Sequence, residues 1–269
     1  MSKHLENSKQ PEEHGADEYE CPQCEDRGYI FYKNEQGYDV AHECLCLEQK
    51  RLRARFKNAL IPEEFKNARF DNYVQKSDVQ KRLYHTTIEY LKNFKTSSHK
   101  YNLGFIAVFG EQRIRELPSS QRAEAKARHN NFGLGKTHLQ IAAAKWLMKQ
   151  GYSTLVVSDI AFMDELVQAK RIDDEGETLA RLLWSANRVD VLIWDDIGKA
   201  KWSETKENFY YQIINERYKN QKPILFSSNE DKGTLSEKIG FAAASRLFGM
   251  CGPYLLEVEG EDFRLQKSG

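Results

Sequence analysis

From residue 103 onward, short apolar runs alternate with longer stretches whose apolar residues recur every three or four positions. LGFIAVFG (103–110), STLVVS (153–158), VDVLIWDD (189–196), PILFSSN (223–229) and YLLEVEG (254–260) are short and almost continuously apolar. Such runs predict buried strands. HLQIAAAKWLMKQG (138–151) predicts a helix with Gly151 as its stop. IAFMDELVQA (160–169) predicts a second, and SETKENFYYQIINERYKN (203–220) a third that Ser203 could cap. Five buried strands alternating with helices imply an α/β fold with a five-stranded parallel sheet flanked by helices.

The pattern differs upstream. Residues 79–95 predict a helix with Leu83, Ile88, Tyr90, Leu91 and Phe94 near one face. LEQKRLRARFKNAL (47–60) is basic and helical in pattern, and Ile61-Pro62 should break it. In residues 21–48, YIFY and YDV alternate around Asn34-Glu35-Gln36-Gly37, which predicts a small hairpin. Residues 1–20 lack periodic hydrophobicity and read as a disordered tail. The expected organisation is a tail (1–20), a cysteine module (21–48), a helical linker (49–78) and an α/β domain (79–269). One segment interrupts the strand–helix rhythm. Residues 111–130, EQRIRELPSSQRAEAKARHN, are polar, with only Ile114 and Leu117 large and apolar. They read as an insertion that projects as a solvated loop or a capped helix, SSQRAEAKARH, and cannot join the core. Its removal is expected to leave folding intact, because the flanking sequence then reads as an uninterrupted strand, loop and helix.

Charge adds little: Lys+Arg and Asp+Glu balance at 40 each. Any nucleic-acid contact must come from local patches. No run of about 18 apolar residues exists, and the N-terminus is polar and acidic. The expectation is a cytoplasmic protein with no membrane contact, in which cysteines serve metal or stay free.

The chemistry concentrates at HNNFGLGKTH (129–138). The phosphate-loop pattern is Gly, four residues, then Gly-Lys-Ser/Thr. Counting back from Gly135 places Asn130 where the first glycine belongs. Either Asn130 substitutes for it, or Gly110 is the original glycine and residues 111–130 were inserted after it; the second reading keeps Gly110 in register. Gly110, Asn131, Phe132, Gly133, Leu134, Gly135, Lys136, Thr137 and His138 are the expected phosphate cradle. Lys136 would reach the β- and γ-phosphates and Thr137 would hold Mg²⁺. VDVLIWDDIG delivers Asp195 and Asp196 to the end of a strand, where ligands bind in parallel sheets. Asp195 is the expected Mg²⁺ partner, and Asp196 stands where a carboxylate can activate water. Asn229 ends another strand within reach of the γ-phosphate or that water, and Arg246 reads either as a surface arginine or as an arginine finger.

Cys21, Cys24, Cys44 and Cys46 form two close pairs around 19 residues. Four thiolates so spaced match a structural Zn²⁺ site. His42 is the alternative ligand, and Cys251 reads as a free thiol.

GLGKTHL, VLIWDDIG, SSN, SRLFGM and GEDFR together resemble the DnaC/DnaI helicase loaders, AAA+ P-loop ATPases with the IstB transposition ATPases as close relatives. The cysteine module followed by IPEEFKNARFDNY resembles the zinc-bearing N-terminus of Gram-positive and phage loaders. This resemblance implies ATP bound between subunits, Asn229 as a sensor, Arg246 as the arginine finger and Arg264 as a further phosphate sensor. It also implies no C-terminal helical lid, a DnaB-like replicative hexameric helicase as partner, single-stranded DNA, and self-association through the ATPase interfaces. Three functions compete: a helicase loader, an IstB-like helper of a transposase, and a scaffold that uses no nucleotide.

Overall fold

The computed structural model describes residues 19, 21–47, 50, 65 and 67–263. The chain divides into two compact units, Met1–Lys50 and Arg51–Gly269. In the first, strands β1 (Tyr29–Lys33) and β2 (Asp39–Glu43) pair antiparallel, Tyr29 opposite Glu43 and Lys33 opposite Asp39. The expected turn is present. Asn34 Oδ1 accepts from the backbone of Gln36 and Tyr38, and Gly37 takes a left-handed φ of 82°.

In the second unit, β3 (Leu103–Ala107), β4 (Thr154–Ser158), β5 (Val191–Asp195), β6 (Ile224–Ser227) and β7 (Leu255–Val258) form one sheet in the order β4-β5-β6-β3-β7. Every pairing is parallel. All five strands sit on the predicted apolar runs. Their side chains alternate between two faces, as the pleat requires. Leu103, Phe105, Val191, Ile193 and Leu225 enter one core cluster; Ile106, Leu192, Trp194, Ile224 and Phe226 enter the other.

Helix α1 (Asp78–Lys92) packs on the first face. Ser77 and Gln80 close a capping box at its start. Its buried stripe is Leu83, Thr87, Tyr90 and Leu91, continued by Phe94 beyond the C-cap Asn93; Ile88 is only half-buried. After β3 the insertion forms α2 (Glu111–Glu116) and α3 (Ser119–Arg128). Helix α4 (Lys136–Lys149) follows on the α1 face, and α5 (Asp159–Lys170), α6 (Glu177–Arg188), α7 (Glu204–Lys219), α8 (Lys232–Ile239) and α9 (Phe241–Gly249) cover the other. Ser203 caps α7 as expected, accepting from Lys206 N.

The insertion departs from expectation in one half. Ile114 is buried, and Arg113 pairs with Asp231 at 2.9 Å. The backbone N–H of Gln112 donates to Glu230 Oε2 at 3.0 Å. Helix α2 is thus fastened to the chain between β6 and α8. Helix α3 buries no residue, and Pro118 stands at its N-cap without a side-chain cap bond. Among the described residues, no helix is long and apolar enough to cross a membrane. The expected tail (1–20) and the first part of the linker (49–66) fall largely outside the described residues, and residues 67–77 of the expected helical linker form turns and irregular chain rather than helix.

Candidate nucleotide site and metal centre

A cavity of about 490 Å³ opens where β3 hands over to α4, within the span of small-ligand pockets. Asn131, Phe132, Gly133, Leu134, Gly135, Lys136, Thr137 and His138 form one wall, and Asp196, Lys199, Asn229, Phe65 and Phe263 complete it. Gly133 and Gly135 have φ of 67° and 85°, a conformation that L side chains rarely adopt. A Cβ on Gly133 would lie 1.7 Å from Asp262 Oδ1, and one on Gly135 2.5 Å from Tyr73 Cε2. Both positions therefore need glycine for backbone conformation, and Gly135 needs it for space as well, because the Tyr73 ring cannot fold aside as the Asp262 carboxylate can. Gly135 is the N-cap of α4, so the helix's first N–H groups face the loop and favour an anion.

The remaining polar groups are brought together by neighbouring strands. Lys136 Nζ donates to Asn229 Oδ1 at 2.8 Å and to Ser228 O at 3.0 Å. Asn229 Nδ2 donates to Asp196 Oδ1 at 2.8 Å. Asn229 thus bridges the lysine and the second aspartate. Thr137 Oγ1 donates to Asp195 at 2.9 Å, and Ser227 Oγ donates to the same carboxylate at 2.7 Å. Burial, and then the charge of Asp196, pushes Asp195 up to about 6; Ser227, Thr137 and Lys136 pull the other way. Two crowded carboxylates beside a threonine hydroxyl are the oxygen donor set of a hard divalent cation. Asn131 is fully buried, and its Oδ1 has no hydrogen-bond partner. The loop, helix terminus and cations fit a polyphosphate.

Other predicted residues lie elsewhere. Gly110 has an ordinary φ of −72° and does not line the cavity; its N–H donates to Asp231 Oδ2 at 3.0 Å. Asn130 does not use the positive φ that made it a plausible glycine substitute. Its side chain instead ties Phe132 to Gly260, with Nδ2 2.6 Å from Gly260 O. Arg246 does not line the cavity. Its guanidinium donates to Ala242 O and lies over the rings of Tyr211 and Tyr218. Arg264 falls outside the described residues.

Sequence reasoning passed over Tyr73, Lys199, Phe65 and Phe263. The Tyr73 hydroxyl donates to Leu134 O at 3.0 Å and its ring bears on Gly135. His138 Nε2 sits 2.8 Å from Arg69 O, so residues 69–73 brace the loop from outside. The aromatics of RFDNY were the available signal, but nothing local tied them to the glycine loop.

In the first unit, the Sγ atoms of Cys21, Cys24, Cys44 and Cys46 all lie within 4.8 Å of one another. Cys21 and Cys44 are 3.7 Å apart, and Cys24 and Cys46 3.2 Å. Tetrahedral zinc at about 2.3 Å from each sulfur requires roughly 3.8 Å between sulfurs, so this cluster could bind Zn²⁺. The Gly28 N–H points at Cys24 Sγ from 3.3 Å. Burial opposes ionisation of Cys24, but hydrogen bonds from Cys46 and Gly28 bring it down to about 7. Four closed protein ligands are a structural arrangement.

Comparison with known proteins identifies the family and the fold. The phage-like element PBSX protein XkdC of Bacillus subtilis (strain 168) is 26% identical over 263 residues, covering 95% of this chain and 88% of that protein. The insertion sequence IS5376 putative ATP-binding protein of Geobacillus stearothermophilus is 29% identical over 165 residues, 58% of this chain and 63% of its own length. The solved DnaC helicase loader superposes with a TM-score of 0.54 at 23% identity, over 70% of this chain and 96% of that one. DnaI superposes with a TM-score of 0.53 at 20% identity, over 77% and 98%. The chain spans about half the length of the replication-initiation-factor and DnaA structures that it also matches. The fold is that of an AAA+ P-loop ATPase. The sequence model of the IstB-like ATP binding protein family matches residues 99–269, more than half of the chain, and the chain belongs to that family.

Proposed function

We propose that the protein is an ATP-dependent DNA replication factor that loads a hexameric, DnaB-like helicase onto single-stranded DNA in the cytoplasm. The observation that carries the nucleotide half of this reading is the Lys136–Asn229–Asp196 chain of hydrogen bonds across the mouth of the glycine loop. ATP would lie in that cradle, with Lys136 on its β- and γ-phosphates and the N–H groups at the start of α4 around them. Mg²⁺ would be held by Thr137 and Asp195 and would supply charge neutralisation to the phosphates. Asp196 would orient and deprotonate the attacking water. Asn229 would keep that carboxylate beside the terminal phosphate through its Nδ2, while Lys136 would exchange its bond to Asn229 Oδ1 for the phosphate oxygens. Arg246 would be lent to a neighbouring copy, and Arg264 would read the phosphates. Aspartate reaches one methylene less far than glutamate, so hydrolysis should be slow and stimulated by partners.

The helicase half rests on the cysteine module joined to an ATP-binding unit. A metal-held module of about this size, too small for a core of its own, suits protein docking better than catalysis. The DnaC and DnaI likenesses support the same reading at the level of fold. The IS5376 relative supports a second reading, an ATPase that assists a transposase. A scaffold without nucleotide is the weakest of the three, because Lys136, Thr137 and Asp195 are all in place.

Two measurements decide. ATP titration with Mg²⁺ should show binding that Lys136→Ala abolishes or weakens severely. Removing one partner of a buried charged pair costs about 2–5 kcal/mol; unchanged affinity would return the scaffold reading. Affinity capture with purified hexameric helicase and, separately, with transposase should retain the helicase alone. Retention of only the transposase would replace the loader by the transposition helper.

A further inference from the structure

Lys199 belongs to neither the glycine loop nor the aspartate pair, yet it lines the same cavity. It closes a tight turn directly after the two aspartates. Its N–H donates to Asp196 O at 3.1 Å, and Gly198 between them has a φ of 81°. That turn fixes the Lys199 backbone beside Asp196. Its side chain crosses the Phe132 ring, with Nζ 5.8 Å from the centroid, and ends on Glu111 Oε2 at 2.6 Å. Glu111 is the first residue of α2, and its backbone N–H donates to Asn229 O at 3.0 Å, so the start of the insertion meets the cavity wall through a backbone bond and a side-chain ion pair.

The two partners of this pair are not alike. Glu111 also accepts from Arg115, one turn along its own helix. Burial opposes the Glu111 charge, but Lys199 and Arg115 outweigh it and hold the carboxyl below its usual range. If Lys199 departs, Glu111 keeps a cation. Lys199 has a long flexible stem, and its side chain is about one-third exposed. Beside the cavity, a terminal phosphate with its larger charge would compete for the ammonium against a carboxylate already half neutralised by arginine.

We infer that Lys199 is a terminal-phosphate-binding residue which Glu111 of the insertion holds in reserve, so that nucleoside triphosphate binding breaks the Lys199–Glu111 pair while Ile114, Arg113 and Gln112 keep α2 in place. This deepens the ATP reading proposed above and rests on it. Lys199 would contact the group that distinguishes triphosphate from diphosphate. Glu111 acts only through Lys199 and is a positioning residue. The Glu111 carboxylate at the first turn of the insertion thereby becomes a sensor of which nucleotide is bound.

The test is a pair of equilibrium titrations, Mg-ATP and Mg-ADP, on the full chain. Lys199→Gln should weaken ATP by roughly tenfold and leave ADP within about twofold, as expected for loss of one charge-assisted phosphate contact. Lys199→Arg should restore most of the difference. Glu111→Gln should move the other way, tightening ATP several-fold relative to ADP. A structural role for the pair would lower melting temperature in both variants and leave the ATP-to-ADP ratio at the wild-type value. That unchanged ratio, in variants that melt cooperatively, overturns the inference. Failure of wild type to bind either nucleotide overturns the ATP reading, and this inference with it. Should Lys199→Gln fold poorly, Glu111→Gln alone decides, because it retains every atom of Lys199 and changes only the competitor.

Discussion

Asp159 is fully buried at the start of α5 and ties three elements together. Its carboxylate accepts from Trp194 Nε1 at 2.8 Å, from the Tyr210 hydroxyl at 2.7 Å and from Ala200 N at 2.8 Å. Trp194 immediately precedes Asp195, and Ala200 ends the turn that carries Asp196 and Lys199, so Asp159 sets the backbone of the aspartate loop from behind. Burial pushes its pKa up to about 6, against the pull of those three donors. A raised carboxyl pKa means that the folded state keeps its proton where the unfolded chain, with a reference value of 3.8, has released it. The stability Asp159 contributes is therefore greatest at acid pH and declines as pH rises through about 6. Asp159→Asn removes this titration and disturbs the donors. It should cost about 1–3 kcal/mol, by analogy with other buried hydrogen-bond losses. The wild-type advantage should be larger near pH 4.5 than near pH 7.5. Thermal melts of both proteins across that interval check the sign; an advantage that grows with pH would contradict the assignment.

The insertion shows what a linear pattern carries and what it does not. Polar composition correctly placed α3 in solvent, but the same composition concealed α2. There, Ile114 is buried, and Arg113 and Gln112 meet Asp231 and Glu230, more than 110 positions away in sequence. Such contacts depend on β3 and β6 lying side by side, which periodicity alone does not fix. The same adjacency lets Asn229 bridge Lys136 and Asp196, and Tyr73 reaches Leu134 across 61 residues. The five strands, by contrast, were legible because each is a local apolar run. Helix α6 was equally legible: Leu179, Leu182, Leu183 and Ala186 follow a helical spacing that the strand-led reading passed over. Removing residues 119–128 and closing the gap with a short glycine-serine linker should change stability by less than roughly 1 kcal/mol, since nothing buried is lost. Removing all of 111–130 should cost more, about 2–4 kcal/mol, because Ile114 leaves the core and Glu230 and Asp231 lose donors. Arg113 is half exposed, so its ion pair is a small part of that figure. Denaturant melts of the two deletions should therefore separate; equal stability would show α2 to be as dispensable as α3.

At the scale of the whole molecule, the chain forms two compact units, each with a candidate site of its own. One Zn²⁺ per chain should accompany the purified protein. Chelation, or Cys21→Ser, should release it and expose the β1–β2 amides to hydrogen exchange, leaving ATP affinity unchanged. Metal-free protein with a protected hairpin would contradict this. Assembly is tested through Arg246. Its guanidinium lies 5.4 Å from the Tyr211 ring centroid and 5.8 Å from that of Tyr218, on an exposed face of α7 and α9, and it is absent from its own chain's cavity wall. If it neutralises phosphate charge, the phosphate belongs to a second copy. Arg246→Ala should then bind ATP nearly as wild type does but lose partner-stimulated hydrolysis, by roughly 10³-fold if it serves as an arginine finger does elsewhere. Lys136→Ala should be inactive for the opposite reason. Mixing the two variants places the sound loop of the Arg246→Ala chain against the sound arginine of the Lys136→Ala chain at one interface. That interface should recover activity, whereas a purely local role for Arg246 against Tyr211 and Tyr218 predicts no recovery at any mixing ratio.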